Sequence, residues 1–349
     1  MIVKAKNPKN KTAAVVNVDD FGIMYTNEAD AKKMLKVIDD NGYIIKVDRE
    51  GKKYCRMNIN HDRINRTLTI DADNMAQDIL ERFGMTECKG ADSPLKYIAP
   101  KYGQSKQYSE ADQSTPLNED EVKRLQQIIG CLLFLAFTVR YDIVTAVCIV
   151  SAMQGKPTKK VLEAAHHILR YLKKHPKRGI TFYPTNYKFI VYSDASQGAD
   201  SKARGRTGGF GYFERADNPD LPNGLIFVNS NIQAVIPDSI AEAEIIAVHD
   251  NAKSAIPVLQ IAKVLGKPQF KTPIWSDNEC AVRLANTSGT TKRLKHVERR
   301  FYWIQDQVAR NIYDVMWKKN LKNYSDFFTK RVPNHEHNGY MNLFTVEIK

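Results

Sequence analysis

The sequence predicts a mixed α/β chain, with a helical middle followed by a mixed sheet flanked by helices. Three observations carry that expectation. Apolar residues recur at three- and four-residue spacings over residues 119–138, 142–153 and 159–174, as a layer of packed helices requires. From Phe189 onward, short strand-like runs alternate with helical stretches, the pattern of an α/β layer. Across that last part, Asp194 and Asp277 end strand-like runs, Glu244 opens a helix and Asp326 follows late, an order that could bring four acids to one sheet edge.

The elements read in order as follows. Residues 13–16 and 21–25 form two strands around the turn Asn17-Val18-Asp19-Asp20, and a helix runs from Thr26-Asn27-Glu28 to about Asp40, stopped by Asn41-Gly42. Residues 43–48, 53–59 and 66–70 alternate well enough to be strands. Asp73 opens a helix that Gly84 stops. Residues 88–118, rich in Pro, Lys, Ser and Gln, read as an irregular loop before the three helices. Beyond them come strands at 189–192, 226–229 and 233–235, with Gly205, Gly208, Gly209 and Gly211 inside a probable strand of close backbone approach. That glycine run lacks both the G-x-G-x-x-G fingerprint and a P-loop ending, so it is not a nucleotide cradle. A helix over 239–265, a strand at 274–275, helices at 278–286 and 297–309, a strand at 314–317 and a short helix near 324–330 follow. Trp275, Trp303 and Trp317 lie within apolar elements and are expected in the core.

The 349 residues have room for two or three domains. Hydrophobic content is 43% and charged content 26%, an ordinary globular balance. The net charge of +13 suits a phosphate-backbone partner, although a merely solubilising surface would carry the same excess. No uncharged apolar run reaches 18 residues and the first residues lack a signal-peptide core, so no membrane partner is expected. Cys55, Cys88, Cys131, Cys148 and Cys280 are scattered and form no C-x-x-C pair, which favours a reduced, intracellular protein, in cytoplasm or nucleus.

Converging carboxylates repel one another unless cations neutralise them, and hard oxygen donors suit Mg²⁺ or Mn²⁺. Two such ions would serve attack on a phosphodiester, so Asp194, Glu244, Asp277 and Asp326 are the expected metal-binding and catalytic set. Glu242 shares the helix start with Glu244, from which Ile245-Ile246-Ala247-Val248 continues as an apolar helix; Glu244 is preferred because it fits the E-x-x-A register of the family that the following blocks resemble. Taken singly, Asp194 and Asp277 would more often be strand-end or cap residues, and Glu242 and Glu244 read also as first-turn acids. His296 is open between a role beside the acids and a surface histidine. Lys292, Arg293, Lys295, Arg299 and Arg300 form the densest basic cluster, either a phosphate contact or a solvated helix face.

Several blocks resemble one family. Asn17-Val18-Asp19-Asp20 resembles the Y-V-D-D turn of reverse transcriptases, with Asn in place of Tyr. Ile129-Gly130-Cys131-Leu132-Leu133-Phe134-Leu135-Ala136, Arg140-Tyr141-Asp142-Ile143 and the helix from Ala164 to Lys173 resemble successive segments of copia-type LTR retrotransposon polyproteins. Tyr192-Ser193-Asp194-Ala195, Ala241-Glu242-Ala243-Glu244, Ser276-Asp277-Asn278, Lys295-His296 and Asp326-Phe327-Phe328-Thr329-Lys330 are similar to the blocks of that family's ribonuclease H domain. Asp238-Ser239-Ile240-Ala241 and Arg293-Leu294-Lys295-His296-Val297-Glu298 depart from the usual wording of their blocks without removing an acid.

The resemblance implies a reverse transcriptase palm remnant over 1–60, a mainly helical thumb and connection over 61–182, and a ribonuclease H-like domain over 183–349. It implies two Mg²⁺ or Mn²⁺ ions on the four acids and cleavage of the RNA strand of an RNA–DNA hybrid. Asp19 and Asp20 would be vestigial polymerase acids, because a further palm acid and a fingers region are expected to be missing from a 5′-truncated element; no polymerase activity is expected from the chain alone. A homodimer, or pairing with a complementary polymerase fragment, would cover an incomplete palm. The alternative is a relic that binds nucleic acid without cutting it.

Overall fold

A computed structural model describes residues 2–4, 12–97, 112–197, 204–287, 298–317 and 323–348. Strands β1 (Ile2–Lys4), β2 (Thr12–Asn17) and β3 (Asp20–Tyr25) form an antiparallel sheet. Helix α1 (Glu28–Asp40) follows, capped by the Asn27 side chain. Strands β4 (Lys53–Tyr54), β5 (Met57–Asp62) and β6 (Thr67–Asp71) make a meander that leads into α2 (Asp73–Arg82). Helix α3 (Glu119–Thr138) starts on a capping box between Asn118 and Glu121, and a 3-10 turn at Tyr141–Ile143 joins it to α4 (Val144–Ala152) and α5 (Lys159–Lys174). The remainder runs β7 (Arg178–Phe182), β8 (Thr185–Ser196), β9 (Arg206–Arg215), β10 (Phe227–Ile232), α6 (Ile240–Val264), β11 (Thr272–Ser276), α7 (Glu279–Asn286), α8 (Glu298–Ala309), β12 (Tyr313–Trp317), α9 (Asp326–Thr329), α10 (Asn334–Phe344) and β13 (Val346–Glu347).

The central sheet has the order β10-β9-β8-β11-β12, with β8, β11 and β12 parallel and the β8–β9–β10 meander antiparallel. The apolar run Phe189-Ile190-Val191-Tyr192 does not alternate with polar residues because both faces of β8 are covered. Phe189 and Val191 enter a core shared with α6, α7 and α8, including Ile245, Val282 and Ile304. Ile190 and Tyr192 face the opposite way, with Phe210 and Tyr212 of β9, into a core supplied by α3, α4 and α5 and closed by Phe327, Phe328 and Phe344. Thus the helices of the middle segment form the second cover of the sheet. A further antiparallel sheet, β13-β7-β6-β5-β4, joins segments on either side of the boundaries expected near residues 60 and 182.

The glycines of β9 admit α6. A Cβ on Gly209 would stand 2.1 Å from Asn251 Oδ1. Buried Asn251 uses that proximity: its Nδ2 donates to Ser193 Oγ at 3.0 Å and to the Gly208 carbonyl at 2.9 Å, while its Oδ1 accepts from Asn229. Gly209→Ala must push the helix off the sheet or break these bonds, and it is expected to cost about 1–3 kcal/mol or more in urea unfolding. An unchanged unfolding midpoint would contradict the close fit.

Some local expectations are corrected. Residues 43–48 are not a strand; Asp48 instead accepts from the N–H groups of Glu50, Gly51, Lys52 and Lys53, which folds the segment into a turn. Residues 233–235 are not a strand either: the Gln233 side chain turns inward and donates to the Ala243 carbonyl at 2.8 Å. Strand β7, helix α10 and strand β13 were not expected. Trp317 is 39% exposed, so it is no core residue. No helix among the described residues is long and apolar enough to cross a membrane.

Candidate active site

Asp194 lies near the end of β8, Asp277 just past β11, and Glu244 in the first turns of α6, the helix held down through Asn251. Carboxylate oxygens of these three residues all come within 4.8 Å of one another, the one such group of three His, Cys, Asp or Glu residues among the described residues. Asp194 is 2% exposed and Glu244 3%, whereas Asp277 opens to solvent. Glu244 Oε1 accepts from the Ala195 N–H at 3.3 Å, and its Oε2 is buried without a partner. Glu242, the rival acid, is used otherwise. It accepts from the Asp238 N–H at 2.7 Å while Ser239 Oγ accepts from its own N–H, a capping arrangement that starts α6.

Asp326 opens α9 and pairs with Lys330 one turn on, beside the three acids rather than among them. Thr329, on the same short helix, donates to Asp194 Oδ2. Asn323 Nδ2 donates to the Ser193 carbonyl at 3.0 Å, tying the approach to α9 against β8. Trp317 Nε1 donates to the Asp277 carbonyl at 3.1 Å, which explains an indole at the sheet edge.

The electrostatics follow from crowding. Burial first, then the charge of Asp326, pushes Asp194 up to about 7. Burial, then Asp194 and Asp277, raises Glu244 well above the carboxylate range, and burial with Asp326 raises Asp277. Burial opposes the charge of Lys330, but Asp194, Asp326 and Asp277 outweigh it and hold the ammonium protonated beyond its ordinary range. Among the described residues, Lys330 is the cation whose charge acts on Asp194, Glu244 and Asp277 alike.

Of the basic cluster, Arg299 and Arg300 sit in the first turn of α8, exposed and half-buried respectively. Lys292, Arg293, Lys295 and His296 lie outside the described residues. Asp19 and Asp20 are exposed at the β2–β3 turn, where Val18 adopts φ 56°, and no further acid joins them in a three-residue group among the described residues. The supporting roles of Thr329, Lys330, Asn323 and Asn251 were not read from the sequence. The run Asp326-Phe327-Phe328-Thr329-Lys330 contains two of them, but which side of a one-turn helix meets β8 is a tertiary matter.

A five-stranded mixed sheet of this order, covered by helices on both faces and carrying acids at adjacent strand ends, defines a mixed α/β layer fold. Among curated proteins, the chain is similar to retrotransposon Pol polyproteins. It is 26% identical over 279 residues to the Retrovirus-related Pol polyprotein from transposon TNT 1-94 of Nicotiana tabacum, covering 79% of this chain and 20% of that protein. It is 29% identical over 205 residues to the corresponding polyprotein from transposon RE1 of Arabidopsis thaliana, covering 58% and 13%. The Transposon Ty1-ER2 Gag-Pol polyprotein of Saccharomyces cerevisiae is 22% identical over 233 residues, covering 63% and 13%. The chain therefore spans a fifth or less of the length of these relatives. No protein-family model matches it. Among solved structures, LC11-RNase H1, isolated from compost by a metagenomic approach, is similar at TM-score 0.30 and 15% identity, covering 41% of this chain and 93% of that one. The foamy viral protease-reverse transcriptase, in complex with RNA/DNA hybrid, is similar at TM-score 0.43 and 13% identity, covering 92% and 37%.

Proposed function

We propose that the chain is a metal-dependent ribonuclease H that cleaves the RNA strand of RNA–DNA hybrids. The observation that carries this reading is the convergence of Asp194, Glu244 and Asp277, with an unpartnered Glu244 oxygen buried beside the other two carboxylates. This donor set fits a divalent cation: it is all oxygen, and its mutual repulsion is relieved only by added positive charge. Divalent ions bound here would neutralise the carboxylates, lower the pKa of a bound water and stabilise a departing oxygen. Asp194, Glu244, Asp277 and, from its edge, Asp326 would hold them. Thr329 orients the Asp194 carboxylate and Asn251 fixes the helix that carries Glu244. Choice of the RNA strand would rest on 2′-hydroxyl contacts in the wide minor groove. Lys292, Arg293, Lys295, Arg299 and Arg300 are proposed phosphate contacts, and His296 a group beside the acids.

On this reading residues 1–60 correspond to the end of a reverse transcriptase palm, with Asp19 and Asp20 in its turn, and 61–182 to thumb and connection. Val18, Phe21, Met24, Val37 and Ile44 are exposed there, apolar surface that a second copy or a polymerase fragment would cover.

Purified protein incubated with a labelled RNA–DNA hybrid is expected to degrade the RNA strand in Mg²⁺ or Mn²⁺, and to stop in EDTA. The Asp277→Asn variant should fall to the EDTA background while binding the hybrid as well as wild type or slightly better, since a negative charge near phosphate is gone. Hybrid binding by wild type without cleavage in either metal would instead favour a nucleic-acid-binding relic.

A further inference from the structure

The segment after α2 builds a cavity that the acidic cluster does not use. Residues 89–97 lie against α5, where the Ala91 N–H donates to the Arg170 carbonyl at 3.1 Å and Ser93 Oγ donates to the Leu95 carbonyl at 2.8 Å. Gly90 approaches α5 so closely that a Cβ would stand 2.9 Å from Lys174 Cβ. Between this segment and the helix is a cavity of about 370 Å³, with Lys89, Asp92, Lys96, His167 and Arg170 in its wall.

The charges of that wall do not balance. Asp92 is the only acid among the lining residues, and Lys174 pairs with it. Lys96 has Glu163 at 3.8 Å, a long and exposed pair worth little. Lys89 and half-buried Arg170 have no acidic partner among the described residues. Burial, Arg170 and Lys96 all disfavour a proton on His167, so the ring can donate or accept without adding charge. A guanidinium held in a preformed recess without a carboxylate partner of its own is suited to an external oxyanion, because its planar donors match phosphate geometry.

One residue of the cavity wall is shared with a cleft beside α9. Ser93 lines a second, narrow cleft of about 20 Å³ together with Lys330 and Arg331. Arg331 is half-buried and has no acidic partner among the described residues, and Lys330 pairs with Asp326. Ser93 is thus common to the α5 cavity and to a cleft that two cationic side chains line.

We propose that the cavity between residues 89–97 and α5 is a phosphate subsite for a nucleic-acid backbone, reached along Arg331 by a strand whose scissile region lies at Asp194, Glu244 and Asp277. The placement of that scissile region rests on the proposed nuclease function; the phosphate subsite does not. Lys89 and Arg170 supply the phosphate contacts and the anchored loop keeps them in place.

The test is fluorescence anisotropy of a labelled RNA–DNA hybrid titrated with the full chain in EDTA, so that no cutting intervenes, at salt concentrations from about 50 to 200 mM. Lys89→Gln with Arg170→Gln is expected to weaken binding roughly tenfold and to lower the slope of log affinity against log salt by about 2, one for each lost phosphate contact. Thermal unfolding checks that the variant is folded. If it is not, Lys89→Gln alone, at an exposed side chain, should lower the slope by about 1. Unchanged affinity and slope in a folded variant would overturn the subsite. So would a cavity that serves a free anion only: inorganic phosphate would then stabilise wild type but not the variant, with hybrid affinity equal in both. Cleavage is scored separately with Mg²⁺. Salt-dependent binding lost in the variant, without cutting by wild type, would leave the subsite standing and remove the nuclease; cutting with unchanged binding in the variant would do the reverse.

Discussion

Asp194→Asn is expected to make the metal-free protein more stable at neutral pH while abolishing the proposed RNA cleavage. Asp194 is pushed up to about 7 in the folded chain by burial and by Asp326, whereas an unfolded Asp titrates near 4. The sign follows from linkage. A raised folded pKa contributes stability that is fully present below about 4 and is lost as the pH rises through about 7. Three pH units correspond to roughly 4 kcal/mol as an order of magnitude, and Glu244 and Asp277 are shifted in the same direction. The amide removes the charge but can still accept from Thr329. In EDTA at pH 8 the melting temperature of Asp194→Asn should exceed that of wild type, and the gain should vanish near pH 4. Adding Mg²⁺ should raise the wild-type value, by linkage to the folded state, and leave the variant nearly unmoved. If the variant melts below wild type in EDTA at pH 8, the carboxylates are stabilised by something other than an added cation. On the proposed function, the acids would be a place where the fold gives up stability for chemistry.

The opposite sign holds at the buried ion pair of the helical layer. Arg140 is 1% exposed and binds Asp142 through two bonds, Nε to Oδ1 at 2.9 Å and Nη2 to Oδ2 at 2.8 Å. Tyr171 donates to the same carboxylate at 2.8 Å, and His337 of α10 meets the Asp142 carbonyl at 3.1 Å. The pair therefore joins the α3–α4 turn to α5 and α10. Asp142→Ala leaves a buried guanidinium without its counter-charge and should cost about 3–5 kcal/mol in urea unfolding at pH 7. Replacing both partners, Arg140→Met with Asp142→Leu, should recover most of that loss. Burial alone would raise Asp142, but the charge of Arg140 and its hydrogen bonds outweigh it and bring the carboxyl down to about 2. Here the folded pKa lies below the unfolded one, so the contribution is present above about 4 and disappears as the pH falls toward 2. The gap between wild type and Asp142→Ala should narrow over that interval. A loss below about 1 kcal/mol at pH 7 would mean that water or a neighbouring group compensates Arg140.

Both results bear on how far the amino-acid order can be read. The helices over 119–138 and 159–174 were legible to within a residue, because apolar spacing and end signals are local. Asp194, Glu244 and Asp277 could be singled out for the same reason: each stands at a recognisable strand end or helix start. The preference for Glu244 over Glu242 came from a resemblance, not from the local pattern. Both occupy the start of α6, and only the meeting of that helix with β8 and β9 sends one carboxylate into the cap and the other toward Asp194.

The sequence by itself determined the mixed α/β class, most of the elements and the candidate acids, since all of these depend on neighbours within a few turns of chain. Only the tertiary structure decided that the middle helices cover the second face of the central sheet, that β7 pairs across to β6 and β13, and that Lys330 and Thr329 stand over the acids. Such contacts form between residues far apart in the chain. Their selection depends on which faces, volumes and unpaired polar groups fit together, and no short stretch of sequence contains that comparison.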